Sequence, residues 1–189
     1  KAGTWLLDPY DVSIEGPSGT ASGTTYGNSF TAGATSTILA SSISSSLNAG
    51  SNVSISTGSD SANTIYVNSA ITATTGTATL TLTGGTINLA ADITTKGSQT
   101  YNGAVVINNA SGITLSSTNS NINFGSTVNS STSNYYGLTV SNGTGTTAFG
   151  GVVGATNALG YLCINVVSCS ATSVGTASSS GTTTLAGNV

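Results

Sequence analysis

Carboxylates and thiols are the groups through which this chain could do chemistry. The acidic residues are Asp8, Asp11, Glu15, Asp60 and Asp92, and the cysteines are Cys163 and Cys169. Two carboxylates facing each other would suit glycoside hydrolysis. Asp60, in "STGSDSAN", reads as a loop residue, however, and Asp92, in "LAADIT", as a corner residue. With no aromatic platform beside them and no arginine, they do not read as a catalytic pair. Asp8, Asp11 and Glu15 could be read as calcium ligands, but calcium takes six to eight oxygens, usually from several carboxylates in a tight loop, and a turn with exposed charges is the better reading. Asp8 precedes Pro9 and reads as a turn residue, with Asp11 and Glu15 exposed on the first coil. Lys96 sits in "TKGS", a turn with nothing around it to make a nucleophilic amine.

Cys163 and Cys169 can point to one side of a strand, but bridging them needs a turn that brings their Cα atoms within ~7 Å. A small disulfide loop, two free thiols and an intermolecular bond all remain open on spacing alone. Two thiols without histidine fall short of a four-ligand zinc site, so no metal or cofactor is expected. Tyr101 and the pair Tyr135 and Tyr136 are the aromatics that could form a surface for sugar stacking or a contact between protomers.

The residues that are missing narrow the classes further. The chain of 189 residues has no histidine, arginine or methionine, and only 4% of it is charged. That excludes His-based acid–base catalysis, Ser-His-Asp triads and arginine clamps on phosphate. With two lysines and a net charge of −3 there is no cation cluster for nucleic acid. No run approaches the ~18 apolar residues of a membrane span. The sequons at Asn52, Asn109, Asn129 and Asn142 carry little weight in a chain so rich in Asn, Ser and Thr.

Short alternating segments must position these residues. "NVSIST", "TIYVNSAIT", "TATLTLTGGTINLAADIT", "AVVINNASGITL", "NINFGSTV" and "GLTV" place Val, Ile or Leu at every second residue, with Thr, Ser or Asn between them. Period-two alternation marks half-buried strands. "LASSISSSLNAG" has Leu39, Ile43 and Leu47 at helical spacing, but its serines argue against a helix. The fold class is therefore all-β, with little or no α-helix.

Two architectures suit such strands. A sandwich or barrel would turn its hairpins at Asn-Gly, as in "YNGA" and "SNGT". A parallel β-solenoid (β-helix) would stack coils of ~20–25 residues about 4.8 Å apart. Charge decides between them. Stacked coils place each residue above its equivalent, where like charges repel, whereas Thr, Ser and Asn columns can hydrogen-bond. A chain without charge beyond Lys96 suits that stacking. About eight coils would make a rod on the order of 40 Å long. The reading divides the chain into an entry or capping segment over 1–50, with irregular first coils, and solenoid repeats over 51–189.

"GTWLLDPYDVSI" resembles the Trp-Leu-x-Asp-Pro segment of filamentous-haemagglutinin-like bacterial exoproteins. "SSSLNAGSNVSISTG", "IYVNSAIT", "GSQTYNGAVVINN" and "TAFGGVVGATNALGYL" resemble the strand repeats of the same family. The stretch "CINVVSCSATSV" departs from that pattern. The resemblance implies a right-handed parallel β-helix exported to the bacterial cell surface. The same stretch reads as the capping motif, with Trp5, Leu6 and Leu7 covering the first coil and Asp8 and Pro9 turning the chain. No signal peptide opens the sequence and "GTTTLAGNV" ends in strand pattern, so a fragment of a longer chain is expected.

The resulting expectation is a non-catalytic structural segment of an extracellular adhesin or filament, associating with itself through fibres or solenoid stacking. Host or matrix glycans are the other expected partners, and nucleic acid is not. The alternative is a solenoid that binds a ligand, either glycan or ice. A polysaccharide-degrading β-helix is a third class, and it would depend on Asp60 and Asp92.

Overall fold

The computed structural model describes residues 10–16, 35–57, 62–131 and 135–166, together with the backbone of 183–185. Trp5, Leu6, Leu7, Asp8, Pro9, Asp60 and Cys169 lie outside the described residues, and with them the expected capping motif.

The chain forms a parallel β-solenoid of about 5 turns. One side of the coil carries β3 (Val53–Ser56), the first half of β6 (Leu80–Leu89), the first half of β8 (Gln99–Ile107), β10 (Ile122–Phe124), β13 (Thr147–Phe149) and β15 (Thr183–Leu185). A second side carries β1 (Asp11–Glu15), β4 (Thr64–Val67), the later halves of β6 and β8, and β11 (Val128–Ser130). The third is a separate sheet of β5 (Ile71–Thr72), β7 (Ile93–Thr94), β9 (Ile113–Ser116), β12 (Leu138–Ser141) and β14 (Leu162–Ile164).

Every strand pairing among the described residues is parallel. That excludes a hairpin-built sandwich for this region. "YNGA" lies inside β8, and Gly143 of "SNGT" makes a solenoid corner with φ +58°.

Alternation produces the core directly. Inward residues stack in files, such as Ile71–Ile93–Leu115–Val140–Ile164 on the third side. Another file runs Val12–Ile65–Ile87–Val105–Val128, and all of its members are fully buried. Outward Thr, Ser and Asn stay partly solvated. Stacked aliphatics at each level exclude water along the whole axis, so burial here adds coil by coil.

Paired residues on neighbouring coils lie 18 to 27 apart from β3 to β14, but 53 apart between β1 and β4 and 36 apart between β13 and β15. The described residues wind about five coils where about eight were expected, because the connections from β1 to β4 and from β13 to β15 use more chain than the ~20–25 residues per coil assumed. At one corner β6 and β8 shift register between Thr83 and Thr86. A Cβ on Gly103 would fall inside contact distance of the Gly84 carbonyl oxygen, so glycine is required there for the coils to approach.

The first described segment does not wind in simple order. β1 lies between β4 and β2 (Thr35–Leu39), so the chain runs out to an edge strand before it returns. The return is α1 (Ala40–Asn48), a helix where the serines argue against one. Ala40, Ile43 and Leu47 share its buried face, and the Ser44 hydroxyl bonds back to the Ala40 carbonyl at 2.8 Å. Burial of that face outweighs a propensity cost of a few tenths of a kcal/mol per serine. Gly50, at φ +83°, ends the helix, its N–H bonding the Leu47 carbonyl at 3.0 Å. No helix among the described residues is long and apolar enough to cross a membrane.

Candidate functional site

The carboxylates that alternation places outward are built into coil-to-coil contacts. Asp11 Oδ1 accepts the Thr64 N–H at 2.6 Å, and Asp92 Oδ1 accepts the Thr114 N–H at 2.8 Å. Asparagines do the same elsewhere: Asn48 to Thr75, Asn52 to Thr79, Asn119 to Thr144, Asn121 to Thr146 and Asn129 to Thr156, at 2.9 to 3.1 Å. In each case a side-chain carbonyl on one coil takes a backbone N–H of threonine on the next. Corners interrupt the strand ladder and leave such donors unpaired, so an Asx side chain supplies the missing acceptor.

Glu15 ends β1 on its outward face. It accepts from the Ser13 hydroxyl and from Asn68 Nδ2, the latter at 2.8 Å. Those two donors hold its carboxyl below the usual carboxylate range. Asp11 and Asp92 sit on different sides of the coil, each bonded to its own threonine. Among the described residues no group of three His, Cys, Asp or Glu side chains could hold a metal ion.

The aromatic residues divide. Tyr101, expected on the surface, is fully buried: it occupies the inward position of β8 in the file Ile55–Leu82–Tyr101–Phe124–Phe149. Its ring stacks on Phe124 with centroids 5.3 Å apart, and Phe124 stacks on Phe149 at 4.8 Å. Parallel coils in register bring the rings face over face, and burial pushes the phenol pKa upward. Tyr136 is half-buried against the core, with its N–H bonded to Ser130 Oγ at 3.0 Å. Tyr135 alone of the three stands out, 59% exposed, with φ +57°.

Two buried polar clusters escape a reading of the sequence. Gln99 is fully buried on β8. Its Nε2 donates to Ser116 O at 2.7 Å and Thr95 Oγ1 at 3.0 Å, and its Oε1 accepts from the Tyr101 hydroxyl at 2.6 Å. In the second cluster Asn165 turns its amide back onto the preceding coil. Its Oδ1 accepts the N–H groups of Asn142 and Gly143, and its Nδ2 donates to Asn142 Oδ1 and the Gly143 carbonyl. Asn119, Gly143 and Asn165 all take left-handed φ of 51–58° at this corner. The repeated Asn and Gly of "TNSN", "SNGT" and "CINV" are the only signal that could have revealed it.

Asn142, one of the sequons, is therefore buried inside this cluster, and Asn52 and Asn129 serve the threonine ladder. Tyr161 also went unrecognised. Its ring lies flat against Gly137 and its hydroxyl reaches the Ser111 carbonyl at 3.4 Å, so it spans two coils. Cys163 is fully buried on β14.

Parallel files, threonine-directed Asx bonds and polar faces with few charges define a β-solenoid. No protein-family model matches this chain, and no curated protein or solved structure is significantly similar to it.

Proposed function

We propose that this chain is a structural segment of a secreted bacterial surface adhesin or extracellular filament, self-associating and non-catalytic. The observation that carries the reading is the spending of its polar groups. Asp11 and Asp92 bond across coils to threonine, and Glu15 to its neighbours on and beside β1, so these groups stiffen a rod. The resemblance of "GTWLLDPYDVSI" and the later repeats to filamentous-haemagglutinin-like exoproteins supports the placement at a cell surface. A charge-poor solenoid also lacks the gatekeepers that usually discourage stacking. Negative-stain electron microscopy and sedimentation velocity over a concentration series test this. Rods that join into fibres or bundles are expected, and monodisperse single chains at every concentration would overturn self-association.

One surface favours a second reading, a ligand-binding solenoid for glycan or ice. Thr72, Thr94, Ser116 and Ser141 form an outward hydroxyl file on the third side, with Thr114 and Thr139 beside it. A glycan array and a thermal-hysteresis assay address it, and silence in both would discard it.

A further inference from the structure

The third side of the solenoid begins at β5, and α1 occupies the place where a further strand would pair with it. Backbone N–H groups along one edge of β5 and its corner point at the helix. The Thr72 N–H donates to Ser44 Oγ at 2.9 Å and the Thr75 N–H to Asn48 Oδ1 at 2.9 Å. Ala40, Ile43 and Leu47 are each 2% exposed or less and close the apolar end of the core. Gly76, at φ +55°, lets the corner come against the Leu47 and Asn48 carbonyls. An uncovered edge with free donors and an apolar floor is a template for another strand.

We propose that α1 is an edge guard that keeps the first strand of this sheet from pairing with a second copy of the chain. The segment of that copy which fits is β14, the last strand of the same sheet among the described residues. Inward Ile71 begins the file and inward Ile164 ends its described part, so head-to-tail pairing would continue one aliphatic column without a break. Both strands are parallel members of one sheet, and the outward neighbours there are uncharged. This inference rests on the reading of a self-associating solenoid and specifies which edge is withheld and by what.

The test uses the full chain and two double variants. Ser44→Ala with Asn48→Ala removes the acceptors for β5, together with the Ser44 back-bond to the Ala40 carbonyl, and leaves the buried face of the helix intact, whereas Ile43→Asp with Leu47→Asp lifts the helix. Sedimentation velocity is expected to show assembly beginning at a concentration roughly tenfold lower in each variant. Hydrogen exchange on the unaltered protein is expected to show slow Thr72 and Thr75 amides, which speed up roughly tenfold in Ser44→Ala with Asn48→Ala. Variants that keep their β circular dichroism and assemble no earlier would overturn the guard, and so would fast exchange at both amides in the unaltered protein. Should the aspartate variant unfold, the alanine variant and the exchange rates decide. An unaltered chain that stays single while the variants assemble supports the guard and discards the filament reading. Filaments of the unaltered chain with unshifted variants do the reverse.

Discussion

The hydroxyl of Tyr101 donates a 2.6 Å hydrogen bond to Oε1 of Gln99, two residues before it on the same strand and fully buried like it. Both side chains point inward because strand alternation gives them the same parity, and the pair settles how a polar file enters an aliphatic core. Tyr101→Phe keeps the ring stack on Phe124 but leaves Gln99 Oε1 without its donor. The expected loss is about 1–3 kcal/mol in urea unfolding. Phe124→Ala, which breaks the stack, is expected to cost more, about 3–5 kcal/mol. Equal costs for the two variants would mean that the buried hydrogen bond matters as much as the aromatic column.

Asn165 makes two separable contributions, a left-handed corner and an amide that clips onto Asn142 and Gly143. Asn165→Gly preserves the corner and loses the clip. Asn165→Ala loses both, and is expected to be about 1–2 kcal/mol less stable than the glycine variant because alanine resists positive φ. Thermal unfolding of the two variants side by side checks the order.

Gly103 stands where a corner of one coil meets the Gly84 carbonyl of the coil before it. Gly103→Ala forces a methyl group against backbone, which cannot move aside as a flexible side chain would. A destabilisation of about 3 kcal/mol is expected. An alanine variant that melts with the unaltered protein would show that the corner can open.

Glu15 gives a pH dependence with a definite sign. Ser13 and Asn68 lower its folded pKa below the ordinary 4.5, so the unfolded chain takes up its proton at a higher pH than the folded one. Its contribution to stability is complete above that ordinary value and is lost as pH falls through the lowered folded value. Carboxyl chemical shifts followed by NMR are expected to titrate below 4.5 and to move upward in Asn68→Ala. A midpoint unchanged by that substitution would remove Asn68 from the account.

Much of the strand content was legible because alternation is a local property. Ile71, Ile93 and Leu115 show their inward parity within a few residues of chain, and low charge pointed to stacked coils rather than hairpins. The burial of Tyr101 is not legible locally, because composition cannot tell an aromatic at an inward position from one at a corner once the strand boundaries slip. The helix over Ala40–Asn48 is hidden from sequence because propensity weighs serine locally, whereas Ile43 and Leu47 are stabilised by a core built from residues far along the chain.

Pairing partners lie beyond any local rule. Asp11 reaches Thr64 across 53 residues and Asp92 reaches Thr114 across 22, and no fixed spacing predicts both. The sequence by itself determined the material: strands with one apolar face, uncharged outer positions, and Asn and Gly for corners. The tertiary structure decided which coil lies on which. Register follows from the fit of whole inward files and of the corners between them, so β1 could come to rest between β4 and β2, and α1 over β5. Those placements depend on contacts summed over the stack, and a short window of sequence contains only one side of each.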